Sequence, residues 1–561
     1  MQICYLWVER FRNLRDFSFN FDSNHRFSYD KDDHKISRKK IESLPKNFFP
    51  LPIKEVTALV GKNGAGKSNA LELICKILKS GKSSFKFDFV LIYSDAKELH
   101  CSYKFGEKGL PRSNIRLNYH EHADLNGLKV IFYSNVFSDR QRDFGSGVID
   151  LSPDRVDRPQ FHNKNNRTSQ LQKQIWFINS DSSFDNLGIK TPTHISITIA
   201  RGPLDPGSAR MYSPTHVLGK VAGRLRDRAR SLGMVNRFLF LFSFAYLSKI
   251  VSSVKPSLSS SIDENKDFLD EIESLSNSLL NMPTRNLVYS ILDFLDGFAI
   301  RLPNQHDLSN SESGRSVVLN KQSVEKQVRF IRESEIKLSN FEISEPETEF
   351  RNSRYFGFDL AYNLNSSSWF VDLLAAFEEM QFFSVDWIGI SSGQRAYLNL
   401  FSLIAYEMRT ASDIPVFICI DEGDLYLHPE WQLEFFYRLL NVLKRTNVKN
   451  IQLLLTSHSP FLLADLPKQN IVVLSNDPIE SIPGTLLENE TFAGNLYDLY
   501  AGPLFIDTLR TSLFAQEKIS QLAIDVRSRP LSDAKRKNIQ KRLSLIGDEI
   551  IKNIIKAELN D

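Results

Sequence analysis

The chain has 561 residues, which is more than one ordinary domain holds, so two or three lobes are expected. Hydrophobic residues make up 42% and charged residues 24%, as in a folded globular protein, and the net charge of +3 gives no overall signal for nucleic-acid binding. No apolar run approaches eighteen residues and the N-terminus lacks a signal-peptide core, so the sequence predicts no membrane span and a cytoplasmic location.

The first chemical motif along the chain is the glycine-rich segment 61–68, Gly-Lys-Asn-Gly-Ala-Gly-Lys-Ser. It follows the apolar run 56–60, typical of a strand, and precedes the helical pattern 69–78. Its glycines allow a tight turn in which backbone N–H groups face nucleotide phosphates, and the helix N-terminus adds positive charge. Lys67 would reach the phosphates, and the Ser68 hydroxyl would ligate Mg²⁺. The segment therefore predicts a nucleotide and Mg²⁺ site.

The sequence pattern changes near residue 150, from strands to helices separated by polar loops. Residues 87–94 and 99–105 predict a β-hairpin, and 125–137 predict another strand. From 151 to 365 polar loops separate helical patterns, at 217–231, 237–252, 268–281, 285–295 and 322–338. This insertion is large enough for a lobe of its own, and the lack of sustained heptads excludes a long coiled coil.

One helical pattern of the insertion carries a basic cluster: Arg224, Arg226, Arg228 and Arg230. Arginine suits bidentate phosphate contacts, so the cluster is a candidate surface for DNA or RNA. A solvated helix face, or one that contacts another subunit, explains the cluster equally well. A second basic cluster at 535–542 is better explained as a solvated helix.

Two segments after residue 365 carry polar groups next to apolar patterns. Residues 390–394, Ile-Ser-Ser-Gly-Gln, precede a long apolar helix, and Ser391 there is either an ordinary helix cap or part of an anion-binding helix start. The run 416–420 is typical of a strand buried on both faces of a parallel sheet, and it ends in Asp421 and Glu422. Asp421 would hold Mg²⁺, and Glu422 would act as general base toward the attacking water.

Another buried strand, 451–456, is followed by His458. A lone histidine in that position is usually structural. Here it would lie at the same sheet edge as Asp421, because ligands bind at the carboxyl ends of parallel strands. Residues 471–474 predict a further strand, and 508–559 are helical and charged.

In type and order these segments resemble the ABC-type ATPases, in the AAA-family branch shared by SMC, RecF and OLD proteins. The resemblance implies that ATP is bound by Gly61, Lys62, Asn63, Gly64, Ala65, Gly66, Lys67, Ser68 and Asn69. It makes Glu422 and His458 catalytic, and it assigns the metal to Ser68 and Asp421. Ser391, Gly393 and Gln394 match the signature motif, with isoleucine and serine in place of its first leucine and first glycine.

Two more ATP-binding candidates come from the same resemblance. Arg12, at the end of the opening strand, matches an arginine that approaches the nucleotide phosphates in this branch. Asn135 is the expected residue of the loop that normally carries a glutamine, with Gln141 as the alternative. The chain departs from the family at Gly423, where a proline is expected after the catalytic glutamate, and Asp424 then supplies the following acid.

The resemblance implies an α/β fold: an ABC-type ATPase head with a mostly parallel sheet and an antiparallel β-subdomain, plus a large helical insertion and a helical C-terminal tail. The expected division gives residues 1–150 and 366–500 to the two halves of the head. Residues 151–365 form the insertion, and 501–561 form the tail.

The resemblance also implies partners. In this family the signature of one head contacts the γ-phosphate held by another, which implies an ATP-sandwiched homodimer and leaves higher oligomers open. The sequence shows no nuclease constellation, and no Asp-x-Asp follows His458 as in OLD nucleases. A stand-alone ATPase of this kind most resembles the PtuA type of Septu anti-phage defence systems, including those attached to retrons. That resemblance implies a separate HNH-type nuclease subunit, and DNA or RNA, including retron msDNA, as a possible ligand.

Two alternatives stay open at this point. One is a RecF-like ATPase that binds DNA during repair. The other is an AriA-like ATPase that sequesters a toxic effector.

Overall fold

The computed structural model describes most of the chain. The described residues are 1–62, 64–96, 98–106, 109–122, 124–136, 142, 144–145, 147–153, 169–180, 184–200, 214–253, 262–302, 320–346, 355–377, 380, 382–411, 413–474, 481–501, 512–528, 530 and 532–560. Two predicted positions, Asn63 and Gln141, lie outside them.

Strands occupy the N-terminal region and return after the helical middle of the chain. In chain order they are β1 (Gln2–Phe11), β2 (Leu14–Asn20), β3 (His25–Asp30), β4 (Lys35–Lys40), β5 (Ile53–Gly61), β6 (Phe89–Asp95), β7 (Glu98–Lys104), β8 (Arg112–Ser113), β9 (Asn118–Glu121), β10 (Lys129–Ser134), β11 (Val148–Asp150), β12 (His194–Ala200), β13 (Ile343–Ser344), β14 (Tyr355–Ala361), β15 (Phe383–Ile388), β16 (Val416–Asp421), β17 (Ile451–Thr456), β18 (Ile471–Leu474) and β19 (Ser481–Pro483).

Helices are numbered separately. They are α1 (Lys67–Lys79), α2 (Gln170–Ser180), α3 (Pro214–Ala229), α4 (Met234–Ser253), α5 (Ile262–Asn281), α6 (Leu287–Ala299), α7 (Lys321–Leu338), α8 (Leu364–Phe377), α9 (Ser392–Met408), α10 (Pro429–Lys444), α11 (Pro460–Ala464), α12 (Leu496–Ala501), α13 (Leu513–Arg527), α14 (Asp533–Leu543) and α15 (Glu549–Asn560). The predicted mixed α/β fold, with a parallel sheet and many helices, is confirmed.

A mostly parallel sheet forms the centre of the head. Its strand order is β11-β10-β16-β17-β5-β18-β19, and only the last pair is antiparallel. Every residue of β16 and β17 is buried, as expected for strands covered on both faces. The apolar runs that predict these strands are therefore the interior of the sheet.

An antiparallel layer packs beside the parallel sheet. Its strand order is β2-β1-β6-β7-β9, and the predicted hairpin is the β6–β7 pair. A smaller sheet, β3-β4-β8, covers the outer side of this layer. Trp7 of β1 packs with Phe27, Tyr29 and Ile36 of the smaller sheet in a shared hydrophobic cluster. The N-terminal lobe is therefore a β-sandwich in front of the parallel sheet.

Two buried polar side chains join the antiparallel layer to the parallel sheet. Gln452 of β17 exchanges two 2.9 Å hydrogen bonds with the backbone of Ile3 in β1, its side-chain oxygen accepting from N–H and its NH₂ group donating to C=O. Its register partner in β5, Glu55, accepts a 3.0 Å hydrogen bond from the Ser23 hydroxyl. The second carboxyl oxygen of Glu55 is buried without a hydrogen-bond partner in the described part of the chain.

The insertion is helical where the patterns predict helices, but it also contains a sheet. Helices α3 to α7 cover the five predicted segments, whereas β13-β14-β12-β15 is an antiparallel sheet that was not predicted. Ile195, Ile197 and Ile199 of β12 alternate with less buried residues, a strand periodicity that helical context obscures. A boundary at residue 365 divides this sheet, because β14 precedes it and β15 follows it. The four-part division of the chain stays a prediction.

Helix α4 is the apolar centre of the insertion. Among the described residues it is the one helix long and apolar enough to cross a membrane, by length and composition alone. However, 72% of its apolar window is buried inside the fold, where Phe242 packs on Phe377, Phe382 and Phe383. Such burial is typical of a core helix.

The arginines of α3 do not form one free surface. The Arg228 guanidinium donates hydrogen bonds to the carbonyls of Leu279, Leu280 and Met282, which are the last carbonyls of α5 and its exit. It therefore caps a helix C-terminus, a structural role that the cluster prediction did not foresee. Arg230 remains 66% exposed, beside Asp227 at 3.7 Å.

The C-terminal tail has a hydrophobic cluster of its own. Helices α13, α14 and α15 contribute its buried residues, which are Leu522, Val526, Ile539, Leu543, Ile555 and Leu559. Arg542 of the second basic cluster pairs with Asp525, and the Lys535 ammonium donates to the Ser528 hydroxyl at 2.6 Å. Part of that cluster is thus engaged in contacts within the tail.

The buried Glu55 makes stability depend on pH. Burial raises the pKa of Glu55 to about 8, so it stays protonated at neutral pH, while a glutamate of an unfolded chain titrates at about 4.3. The free energy of unfolding should be highest below that lower pKa and decrease as the pH rises to about 8. Glu55→Gln removes this loss, so its melting temperature at pH 8.5, measured by calorimetry, should exceed that of the unmodified chain by about 2–5 °C.

Glu42→Gln, at an exposed position, is the matched control and should leave the pH profile unchanged. A pH profile for Glu55→Gln as steep as that of the control would contradict the assignment.

Candidate nucleotide site

The predicted polar residues come together at the carboxyl edge of the parallel sheet. Strands β10, β16, β17 and β5 are direct neighbours and run in the same direction. Their C-terminal ends therefore place Asn135, Asp421, His458 and the loop 61–67 side by side. This edge is the candidate site.

The phosphate loop connects β5 to α1. Gly61, Gly64 and Gly66 have φ values of 155°, 82° and 94°. A Cβ at Gly66 would lie 2.7 Å from the Asn13 side-chain nitrogen, so glycine is required there for both conformation and space. Ala65 is buried, and no side chain of the described residues caps α1 at its N-cap, Gly66. The first N–H groups of α1 are therefore available to an anion.

Lys67 lies buried across this loop. Its ammonium donates to the carbonyls of Gly61 at 2.9 Å and Lys62 at 3.3 Å, and it lies 3.3 Å from Nδ1 of His458. Burial lowers the pKa of Lys67 to about 8, although the nearby Glu422 and Asp421 carboxylates act against that shift. The two carbonyls and the histidine nitrogen thus hold the ammonium where phosphate oxygens of a nucleotide would take their place as its partners.

Asp421 is held in place by hydroxyl groups on both neighbouring strands. The Thr456 hydroxyl donates to its carboxylate at 2.6 Å and the Ser134 hydroxyl donates at 3.3 Å. Ser68 lies close enough to this carboxylate to lower its pKa, against the effect of burial. Asp421 is 2% exposed, and burial raises its pKa. A buried carboxylate aimed at a hydroxyl at the start of the helix is a site that a cation would stabilise.

The donor set fits Mg²⁺. This cation takes hard oxygen ligands and usually binds through one or two protein groups together with phosphate oxygens and water. Ser68 at the start of α1 and Asp421 at the end of β16 supply such oxygens close to each other. In the described residues no group of three or more histidine, cysteine or acidic side chains forms a complete metal cage. The site is thus suited to a metal that arrives with a phosphate ligand.

Glu422 points into the site because its backbone is unusual. Its φ of 50° is left-handed, and its N–H donates to the carbonyl and hydroxyl oxygens of Thr456 at 3.2 and 3.0 Å. One carboxylate oxygen lies 2.9 Å from Nε2 of His458. This hydrogen bond, assisted by the Lys67 charge, lowers the pKa of Glu422 despite partial burial. The carboxylate is therefore ionised at neutral pH, as a general base requires.

His458 bridges the cation and the base. An ammonium can only donate, so its contact with Nδ1 assigns the ring proton to Nε2, which faces Glu422. The ring is about one-third exposed, which leaves it accessible to a bound phosphate group. The arrangement links occupancy of the phosphate loop to the orientation of Glu422.

The two departures after Glu422 have a packing explanation. A Cβ at Gly423 would lie 2.6 Å from Ile420 and 2.9 Å from Phe435, so a proline ring has no room there. Asp424 is buried and accepts a 2.6 Å hydrogen bond from the Ser457 hydroxyl, and burial raises its pKa. Asp424 therefore joins the loop after β16 to the loop after β17, beneath the catalytic candidates.

Asn135 lies at the end of β10, next to the metal candidate. Its backbone N–H donates to the carbonyl of Asp421 at 3.3 Å, and its side-chain NH₂ donates to the carbonyl of Gly423 at 3.0 Å. The Tyr133 hydroxyl donates to its side-chain oxygen at 2.7 Å. These contacts use the Asn135 side chain to fix the loop after β16.

The signature segment is the start of α9, and its polar side chains form the cap of that helix. Ser391 and Gln394 form a capping box: the Gln394 N–H donates to the Ser391 hydroxyl at 3.2 Å, and the Ser391 N–H donates to the Gln394 side chain at 2.8 Å. Gly393 is packed below Tyr426, whose carbonyl would lie 3.1 Å from a Cβ. No hydrogen bond of the described residues joins this segment to residues 61–68. It does not complete the site within one chain.

The signature helix α9 is anchored to the insertion by buried charges. Glu407, near its end, lies 3.3 Å from Lys173 of α2 and 3.7 Å from Lys129, the first residue of β10. Lys173 is 1% exposed, so removing Glu407 would leave a buried unpaired charge. This ion pair therefore joins the insertion to the signature helix.

Arg12 lies beside the phosphate loop and is oriented by α1. It occupies the β1–β2 turn with φ 53°, and it donates to Asn69 at 2.8 Å and to the Glu72 carboxylate at 2.7 Å through Nη1. Nη2 donates to the other Glu72 oxygen. These bonds use three of the five guanidinium N–H groups and leave the Nε–Nη2 edge free to meet a phosphate.

A family comparison agrees with this geometry. Residues 1–463 match the family described as AAA ATPase domain. The chain belongs to this family. Membership implies nucleotide binding and ATP hydrolysis in general, usually with Mg²⁺. One similar protein is the "Retron Ec83 probable ATPase" of Escherichia coli, which is 33% identical over 100 residues. That match spans 17% of this AAA ATPase and 18% of the relative.

Several groups around the site of this AAA ATPase were not predicted as site residues. Ser134 and Thr456 are the register partners of Asp421 on either side, so a hydroxyl at the last position of each neighbouring strand is the signal. Glu72 is an acid on the buried face of α1, between the buried Leu71 and Leu73. An acid in that setting requires a cationic partner, but only the fold identifies Arg12 as that partner.

The Arg12–Glu72 pair yields a test on nucleotide affinity. Glu72→Gln keeps the size of the side chain and removes the charge that orients Arg12. We expect the Kd for ATP, measured by calorimetry, to rise about tenfold, since the guanidinium loses a charge-assisted bidentate partner. In an Arg12→Ala background the same substitution should change the Kd by less than about twofold.

Arg10→Ala, an exposed arginine two positions away, is the matched control and should bind ATP normally. Equal losses from Glu72→Gln with and without Arg12 would show that Glu72 acts through α1 alone.

Proposed function

We propose that this AAA ATPase is the ATP-binding and ATP-hydrolysing subunit of a bacterial anti-phage defence complex. Two copies close around ATP, and the nucleotide state controls a separate HNH-type nuclease. The ATPase part follows from the site and the family. The defence role, the dimer and the nuclease are the finer parts of the proposal.

The observation that carries the ATPase proposal is the continuous contact from Lys67 through His458 to Glu422 beside the Ser68–Asp421 pair. The phosphate-binding Lys67, the metal-binding candidates and the ionised Glu422 therefore all lie at the same edge of the parallel sheet. A purely structural ion pair would not need Glu422 to adopt a left-handed backbone conformation beside the uncapped start of α1. The arrangement therefore favours a catalytic site.

The residues divide the reaction among them. Backbone N–H groups of the loop and Lys67 bind the β- and γ-phosphates, and Ser68 with Asp421 hold the Mg²⁺, which neutralises charge on those phosphates when bound. Glu422 accepts the proton of the water that attacks the γ-phosphorus, and the bond to the β–γ bridging oxygen breaks. His458 keeps Glu422 oriented and lies close enough to contact the γ-phosphate.

The position of the signature segment supports the proposed dimer. Ser391 and Ser392 are exposed at the start of α9, and among the described residues neither is hydrogen-bonded to the phosphate loop of its own chain. A second copy, turned so that its α9 start faces the bound nucleotide, would supply those hydroxyl and N–H groups. ATP would then hold the dimer together, and hydrolysis would loosen it.

Glu422→Gln tests the ATPase and the dimer together. Loss of the general base should reduce kcat by at least about a hundredfold while ATP still binds, so the variant should accumulate as an ATP-bound dimer. Phosphate release and light scattering after size exclusion, with ATP and with ADP, measure both. Asp498→Asn, an exposed acid on α12, is the matched control. Normal turnover in Glu422→Gln would remove the catalytic assignment.

The defence role is supported by the similarity of part of the chain to a protein described as a probable retron ATPase. A tagged chain recovered from its native host, with and without ATP, should bring down a stoichiometric nuclease that mass spectrometry identifies. Recovery of DNA with repair proteins would support a RecF-like clamp. Recovery of a small toxic protein would support an AriA-like role.

A further inference from the structure

The outer side of the β3-β4-β8 sheet is entirely polar. Its inner side packs Phe27, Tyr29 and Ile36 into the core of the N-terminal lobe. Because side chains alternate along a strand, the residues between them face outward. The outward set on β3 and β4 consists of Arg26, Ser28, Asp30, Lys35, Ser37 and Lys39.

The strand register places cations opposite cations on this side. Arg26 is the partner of Lys39, and Lys35 lies between Asp30 on β3 and Arg112 on β8. Like charges directly opposite each other destabilise a sheet. We call Arg26, Lys35, Lys39 and Arg112 the cation face. Between its two ends the hydroxyl-bearing pair Ser28 and Ser37 forms the centre of the sheet.

Asp30, opposite Lys35, is the one carboxylate of the outward set, so the four cations exceed the acids on this side. Asp30 accepts hydrogen bonds from the N–H groups of Asp32 and Asp33 at 2.9 and 3.0 Å and so stabilises its own turn. Within the described ranges, Lys35, Lys39 and Arg112 have no ion pair, and all three are exposed. Arg26 is half-buried and donates to the Thr485 hydroxyl at 3.4 Å.

We propose that the cation face binds the phosphate backbone of a nucleic acid. Lys35 and Lys39 are four residues apart on one strand, a distance of about 13 Å, and one strand of a duplex presents a phosphate about every 3.4 Å along its axis. The face is therefore long enough to contact more than one phosphate. Two central hydroxyls add hydrogen-bond donors, and contacts from lysine, arginine and serine to phosphates carry no sequence information, so the face binds without sequence preference.

This surface is separate from the nucleotide site. It lies on the outer layer of the N-terminal lobe, whereas the phosphate loop lies at the edge of the parallel sheet. Binding of nucleic acid to the face can therefore be measured without ATP, and its failure would leave the ATPase proposal untouched. The near-neutral charge of the whole chain hides this local excess of positive charge.

The test uses the full-length protein and fluorescent oligonucleotides of about 20 residues, as single strand and as duplex, titrated at several salt concentrations. The triple variant Lys35→Gln, Lys39→Gln, Arg112→Gln should lose at least about tenfold in affinity near 0.1 M salt. Its slope of log K against log[salt] should become shallower by about two, since each lost phosphate contact removes about 0.7–0.9.

The matched control removes the same three charges from α14: Lys535→Gln, Arg536→Gln and Lys537→Gln. It should change affinity by less than about twofold, which separates a local surface from net charge. Equal losses in both triple variants, or no oligonucleotide binding by the unmodified chain, would overturn the proposal. So would face-dependent binding to vesicles of anionic lipid without binding to oligonucleotides, because it would identify a membrane as the ligand.

Discussion

The row Ser134–Asp421–Thr456 is the constraint on which the nucleotide site depends. These residues are register partners on three adjacent parallel strands, and the two hydroxyls donate to the one carboxylate. A slip of one residue in either pairing would turn a hydroxyl to the opposite face and leave the buried Asp421 without its partner. The same register sets where each following loop begins. It therefore positions Asn135, Glu422 and His458 relative to the phosphate loop.

Much of this site could be predicted because its parts are local in sequence. A strand, a glycine turn and a helix define the phosphate loop, and an apolar run that ends in acids defines the end of β16, each within one continuous stretch of sequence. The parallel sheet then brings such strand ends together by a general rule. Asn63 and Gln141 lie outside the described residues, so the sequence remains the basis for them.

The features that sequence did not provide depend on contacts between distant segments. Glu72 meets Arg12 across 60 positions, and Arg228 caps α5 across more than 50. Neither contact can be recognised from the residues adjacent in sequence. For this reason the arginine cluster predicts an exposed surface, although Arg228 is bonded within the fold. The β12-β14-β15 sheet was missed for a related reason: long helices separate its strands along the sequence. Hydrophobic periodicity can identify a single strand or helix, but the pairing of strands depends on residues far apart in the sequence.

The contacts of Lys67 change how substitutions at this residue must be interpreted. In the structure its ammonium already has two backbone carbonyls and a histidine nitrogen as partners. A bound phosphate would therefore replace existing hydrogen bonds of the lysine. The affinity lost when the lysine is truncated is then the difference between two sets of contacts, and it includes the carbonyls of Gly61 and Lys62 that lose their donor. A modest loss at this position would thus be compatible with a strong contact to the phosphate. The free chain is the reference state that decides the measured value.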